Sequence, residues 1–190
     1  MRVIPSELPG VVVIEPKVLH DERGFFLETF HAARFAQHGL PERFVQDNHS
    51  RSVRGTVRGL HAQWRRPQGK LVRVVAGRIW DVAVDIRPDS PTFRRWVAFE
   101  LSADNFLQLY VPPGYAHGFC VLSGEAEVEY KVTDYWDPEG ELRIRWNDPE
   151  RGIAQPVDQA ILSDKDRAAP PLRECGPYLP LFAKESARLA

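Results

Sequence analysis

Residues 70–86, KLVRVVAGRIWDVAVDI, limit the folds open to this chain more than any other stretch. Trp80, Val82, Val84 and Ile86 alternate with Ile79, Asp81, Ala83 and Asp85. A period of two is a strand period, and β-branched residues dominate it. Gly77 interrupts the run after Val74 and Val75, which predicts a hairpin turn or a bulge there. A second run, residues 126–136, repeats the pattern. Ala126, Val128, Tyr130, Val132 and Trp136 fall on one face, and Glu127, Glu129, Lys131 and Thr133 on the other.

Shorter runs of the same kind occupy residues 11–14, 96–101, 106–111, 119–122 and 142–146, and residues 25–30 resume apolar sequence after a turn at 21–24. Pro, Gly, Asn and Asp punctuate them at 87–91, 102–105, 112–114 and 123–124. Only residues 31–38 and a turn near Asp164 read as helix. Many short strands with no βαβ rhythm predict an all-β fold, and a two-sheet jelly-roll barrel closes that many antiparallel strands in one domain. The expectation is a single domain over 1–190, with a core of about 1–166 and a C-terminal extension, 167–190. Tyr130 is placed inward, with Val128 and Val132, where a barrel can hold a ligand.

Charge narrows the partners. The formal net charge is −1, so the whole chain offers no case for nucleic acid or membrane binding. Two distant cysteines, Cys120 and Cys175, give no disulfide or metal signature and suit a reducing compartment. The N-terminus lacks an apolar core of signal-peptide length. The expectation is a cytoplasmic protein.

Chemistry concentrates in residues 46–70, QDNHSRSVRGTVRGLHAQWRRPQGK, and in the later PPGYAH at 112–117. His61-Ala62-Gln63 with the flanking Gly55 and Gly77, and Pro113-Gly114-Tyr115-Ala116-His117, resemble the paired motifs of the cupin jelly rolls. Metal-binding cupins place two histidines and a glutamate in the first motif and a histidine in the second. Here Gln63 stands at the second histidine and no Glu lies between His61 and Gly77. Two histidines and an amide make a poor transition-metal site, so the expectation is no metal. On these residues alone, His61 and His117 read equally well as structural histidines.

The order of further motifs is more specific. Arg23 followed by FFLE (25–28), QDNHS (46–50), RGLH (58–61), GKLVRV (69–74), DVAVDIR (81–87), SPTF (90–93), PGYAHGF (113–119), Tyr130-Lys131 and LSDKD (162–166) occur in sequence. Together they resemble the dTDP-4-dehydrorhamnose 3,5-epimerase family, a metal-free branch of the cupins. The resemblance implies epimerisation of a dTDP-linked 4-keto-6-deoxy sugar at C3 and C5, in dTDP-rhamnose supply for polysaccharide biosynthesis, without a cofactor. It assigns His61 as the base, Asp166 as its orienting partner, Tyr130 as the acid on the opposite face, and Lys70, alone or with Arg58, as the cation facing the enolate oxygen or nearby phosphate. A histidine titrates near neutral pH and a tyrosine stays protonated there, as these roles require. Arg23, Arg58 and Lys165 would meet the diphosphate. Glu28, Gln46, Asp47, Asn48, His117 and Glu141 would give polar contacts, and Trp136 would stack on the base. It also implies a homodimer formed by strand exchange, with residues 11–14 as the strand.

Three places depart from the family pattern: Ala62 after the histidine, Trp64-Arg65-Arg66-Pro67 in the following loop, and Ala154-Gln155-Pro156. None removes a catalytic assignment. The rivals are a single-site epimerase of another dTDP-deoxysugar, a non-catalytic cupin that binds a nucleotide sugar, and, more distantly, a metal-dependent oxygenase, which Gln63 opposes.

Overall fold

The computed structural model describes residues 1–150, 152–153 and 156–179. Ala154, Gln155 and the end of the expected C-terminal extension, 180–190, lie outside the described residues. Thirteen strands, two short helices and a 3₁₀ turn follow in order among the described residues. They are β1 (Arg2–Pro5), β2 (Val12–Glu15), β3 (Val18–Asp21), β4 (Gly24–Leu27), α1 (Ala32–Gln37), β5 (Gln46–Val53), β6 (Val57–Gln63), β7 (Lys70–Ala76), β8 (Arg78–Asp85), β9 (Trp96–Ser102), β10 (Gln108–Val111), β11 (Tyr115–Val121), β12 (Glu125–Val132), β13 (Glu141–Arg143) and α2 (Asp164–Arg167), then the 3₁₀ turn Leu172–Cys175.

The expected jelly roll is present. One sheet runs β1-β2-β10-β7-β12-β5 and the other β13-β6-β11-β8-β9, with β3-β4 as a separate hairpin. The apolar halves of the alternating runs face each other between the sheets. Val72, Val74, Leu109, Ala126 and Val128 come from the first sheet and Ile79, Ala83, Leu101, Phe119 and Val121 from the second. Because both faces of the second sheet are apolar, its outer side needs a cover. Leu172, Cys175 and Leu179 supply it, packed with Leu60, Val82, Val84 and Leu142. Phe35 of α1 covers the outside of the first sheet over Ile14, Leu71 and Tyr110.

Two readings change. Residues 106–111 do not form one strand: Phe106 has a φ of 56°, in the left-handed region, and β10 begins at Gln108. Trp136 does not continue the face of Tyr130 and Val132, because β12 ends at Val132 and the chain turns. Residues 11–14, offered for exchange between subunits, fall largely in β2, which is paired on both sides, to β1 and to β10. No helix among the described residues is long and apolar enough to cross a membrane.

Candidate active site

A bulge creates the site. On β11, His117 pairs with His61 and Phe119 with Arg58, so three steps along β6 oppose two along β11. The extra residue turns Arg58 and His61, which strict alternation would place on opposite faces, toward the same cleft. Glycine permits this: a Cβ on Gly59, whose φ is +114°, would stand 2.7 Å from both Gly118 Cα and His117 O.

The cleft has two adjoining lobes of about 490 and 290 Å³. His61, Lys70, Tyr130, Trp136 and Glu141 line both. The larger adds Arg58, His117, Arg143, Lys165 and Asp166, and the smaller adds Gln46, Asn48 and Gln63. His61, His117 and Glu141 project from one sheet, Lys70 and Tyr130 from the other. The cleft therefore has titratable groups on both walls.

His61 Nε2–H donates to Asp166 Oδ1 at 2.6 Å. That leaves Nδ1 with the lone pair a base needs. Local chemistry delivers Asp166. Ser163 caps α2, its hydroxyl accepting from Asp166 N at 3.1 Å. Upstream, Ile161 bridges Thr56, and Val57 N donates to Ile161 O at 3.0 Å, strapping this segment beside β6. Burial alone would raise the Asp166 carboxyl, but the His61 hydrogen bond and charge, the Ser163 bond and the Arg143 cation together hold its pKa below the ordinary carboxylate value.

Lys70 leads β7 from the opposite wall, and its ammonium donates to His61 O at 3.4 Å. Burial pushes its pKa down to about 8, against the opposing pull of Asp81 and Glu141. Tyr130 is inward as its parity requires. Burial raises its pKa, the Arg58 cation lowers it and Glu141 raises it, with a net upward shift that keeps the phenol protonated. His117 is buried, with Nε2 at 2.8 Å from Asp81 Oδ1.

The nucleotide-side residues divide. Trp136 is half-exposed at the mouth, and its backbone N–H donates to Gln46 Oε1 at 3.1 Å. Gln46 in turn donates to Asn48. Arg58 donates to Ser52 at 2.9 Å, and Lys165 is exposed on the rim. Three expected residues do not line the cleft of their own chain. Asp47 points out from the other face of β5 and pairs with Lys131 at 2.8 Å. Arg23 sits in the β3–β4 turn with Asp21, and Glu28 pairs with Arg34 at 2.6 Å. Among the described residues, no group of three or more His, Cys, Asp and Glu side chains is set to hold a metal ion.

The model of the family dTDP-4-dehydrorhamnose 3,5-epimerase matches residues 5–174. The chain belongs to this family. A family member from Methanothermobacter thermautotrophicus is 51% identical over 181 residues, covering 94% of this chain and 98% of that one. The structure of a dTDP-6-deoxy-D-glucose-3,5-epimerase from Legionella pneumophila, in complex with dTDP-4-keto-L-rhamnose, aligns with a TM-score of 0.88 at 50% identity, over 90% of this chain and 93% of that one. A 3'-monoepimerase from Streptomyces bikiniensis, in complex with dTDP-quinovose, aligns with a TM-score of 0.92 at 32% identity, over 98% and 96%. The epimerase fold thus carries both two-site and one-site chemistry.

Three residues in or behind the cleft were not singled out as site residues from sequence: Ser163 and Arg143 on its wall, and Asp81, which reaches it through His117. Each left a signal. Asp81 stands on the apolar face of β8, where a carboxylate needs a partner. Ser163 precedes Asp166 at capping distance. Arg143 is two residues from Glu141 and so shares its face.

Proposed function

We infer that this cleft epimerises dTDP-4-dehydro-6-deoxy-D-glucose at C3 and C5, giving dTDP-4-dehydro-L-rhamnose for dTDP-rhamnose biosynthesis. The observation that carries it is His61 on one sheet, paired with Asp166 of α2, and Tyr130 and Lys70 on the facing sheet, around one cleft. The C4 ketone acidifies the C3 and C5 protons. His61 Nδ1 takes the proton, and Asp166 stabilises the imidazolium that results. The electrons move onto the C4 oxygen, where the Lys70 ammonium offsets the charge. Tyr130 gives its phenol proton to the opposite face of the carbon; solvent then takes the proton from imidazolium His61 and returns one to the Tyr130 phenolate, so that both groups are reset. The reaction is proton transfer throughout, so it calls on no redox partner.

Arg58 and Lys165 on the rim suit the diphosphate, and Trp136 at the mouth suits stacking on the base. Arg23 and Glu28 fit the reading in a homodimer. Leu19, Phe25 and Phe26 of the β3–β4 hairpin are more than half exposed, an apolar tip suited to a second copy. In such a dimer the hairpin would carry Arg23 and Glu28 to the partner's cleft. Both cysteines are free and buried, which suits a cytoplasmic location.

Incubation with the keto-sugar nucleotide in deuterated water, followed by NMR at C3 and C5, tests the assignment. Deuterium should enter both carbons, and a His61→Ala control should lose it. Entry at one carbon would make the protein a mono-epimerase, as the Streptomyces relative is named. Entry at neither would sink the assignment.

A further inference from the structure

Arg143 lies beside the base. On the β13–β6 ladder it is the register partner of His61, and Glu141 is the partner of Gln63. Strand alternation puts Arg143 and Glu141 on the cleft side, while Leu142 and Ile144 pack into the core behind. The Arg143 guanidinium donates to the Glu141 carboxylate. It also reaches Asp166 electrostatically, and is one of the groups that keep that carboxyl ionised. Other charged or titratable groups also line the cleft around His61. Arg58 comes from its own strand, Lys70 from β7, Tyr130 from β12, His117 from β11, and Lys165 and Asp166 from α2. Asp81 of β8 faces it only through His117.

We propose that Arg143 is a positioning residue for the base, a cation that keeps the dyad as neutral imidazole and carboxylate until a substrate proton arrives. The inference rests on the epimerase reading. A fixed positive charge beside an imidazole opposes its protonation and favours an adjacent carboxylate as the anion. Glu141 sets the strength of that effect, because its own negative charge faces the same space and is balanced by Arg143. The pair works as an adjustable cation: removing Arg143 leaves an unopposed Glu141, and removing the Glu141 charge leaves an unopposed Arg143. The two changes should move His61 in opposite directions, which a simple loss of structure would not do.

The test is an NMR titration of the His61 ring in the whole protein, beside the pH profile of kcat/KM for C–H exchange. Arg143→Gln should raise the His61 midpoint, and with it the acid limb of the profile, by about 0.5–1 pH unit. Arg143→Lys should restore the wild-type midpoint, and Glu141→Gln should lower it. If Arg143→Gln is poorly folded, the Arg143→Lys and Glu141→Gln pair still tests the sign. An unmoved midpoint with only KM raised would make Arg143 a diphosphate ligand and overturn the proposal. Equal shifts in one direction from both charge-removing variants would overturn it as well. The titration needs no substrate, so a wild-type protein inactive on the keto-sugar would sink the epimerase reading while leaving the Arg143 result readable.

Discussion

His61 Nε2 and Asp166 Oδ1 stand 2.6 Å apart, although 105 residues separate them in the chain. The contact depends on a parallel bridge between Thr56 and Ile161 and on the Ser163 cap, which together aim a buried carboxylate at a ring on β6. The His61 hydrogen bond and the nearby cations hold the Asp166 carboxyl below the usual carboxylate range, so at neutral pH the ring has a charged acceptor.

Asp166→Asn tests that pair. The amide is close in size and can still meet the ring, but it carries no charge to stabilise imidazolium and can bind the wrong tautomer. The exchange rate should fall about 100- to 10,000-fold, with a melting temperature close to wild type. Deuterium incorporation and circular dichroism check the two halves. A variant that keeps its rate would show that the contact is structural.

Much of the fold was readable because its strands are runs of β-branched and aromatic residues between turn residues, as β7, β8 and β9 are, and because β12 alternates apolar with charged residues. The strands that build the cleft were harder. β5, QDNHSRSV, has no apolar face: Gln46, Asn48, Ser50 and Ser52 are the more buried set and Asp47, His49 and Arg51 the exposed one. The period of two is there, but it separates uncharged polar from charged residues rather than apolar from polar. That pattern, read strictly, would have turned Asp47 away from Gln46 and Asn48. His61 and Arg58 share a face only through a bulge, which no alternation rule gives. The dyad was legible only through family resemblance, since nothing local to either residue says that they meet.

Lys70 should give the enzyme an alkaline limb. Its pKa of about 8 means that the ammonium is lost as pH rises through that value. If the charge stabilises the enolate, kcat/KM for exchange should fall above about pH 8, tenfold per unit at the limit. Lys70→Arg, charged throughout, should remove that limb even if its rate is lower. A wild-type profile flat to pH 9.5 would exclude the ammonium from the rate-limiting step.

The same depressed pKa predicts a trade of stability for function. Folded Lys70 binds its proton less tightly than the unfolded side chain, 8 against 10.5. The folded state is therefore penalised below about pH 8, and the penalty fades as pH rises from 8 towards 10.5. Lys70→Met, similar in length and uncharged, should stabilise the protein by about 1–3 kcal/mol at pH 7 while destroying activity. The gain should shrink above pH 8. Urea unfolding at pH 7 and pH 10 measures both, and a loss of stability at pH 7 would refute the sign.

Tyr130→Phe should separate proton removal from inversion. Phe fills the same inward position between Val128 and Val132, and His61 still has its lone pair. Deuterium should then enter from the His61 side with the configuration retained, while formation of inverted product falls at least about 100-fold. NMR of the recovered sugar reads exchange and configuration together. Inverted product formed at the wild-type rate would assign the acid to another group.

The last prediction concerns Arg23 and Glu28, which lie off the cleft of their own chain on or beside the β3–β4 hairpin. If a second copy takes this hairpin, each cleft needs His61 from one chain and Arg23 from the other. Arg23→Ala and His61→Ala proteins should each be impaired alone, the first mainly in KM. When the two are unfolded and refolded together, half of the dimers pair one chain of each kind. Every such dimer has one cleft with His61 from the Arg23→Ala chain and Arg23 from the His61→Ala chain, and one cleft lacking both. Activity at low substrate should return to about a quarter of wild type. No recovery on mixing, with dimers present by light scattering, would mean that Arg23 serves its own chain or none.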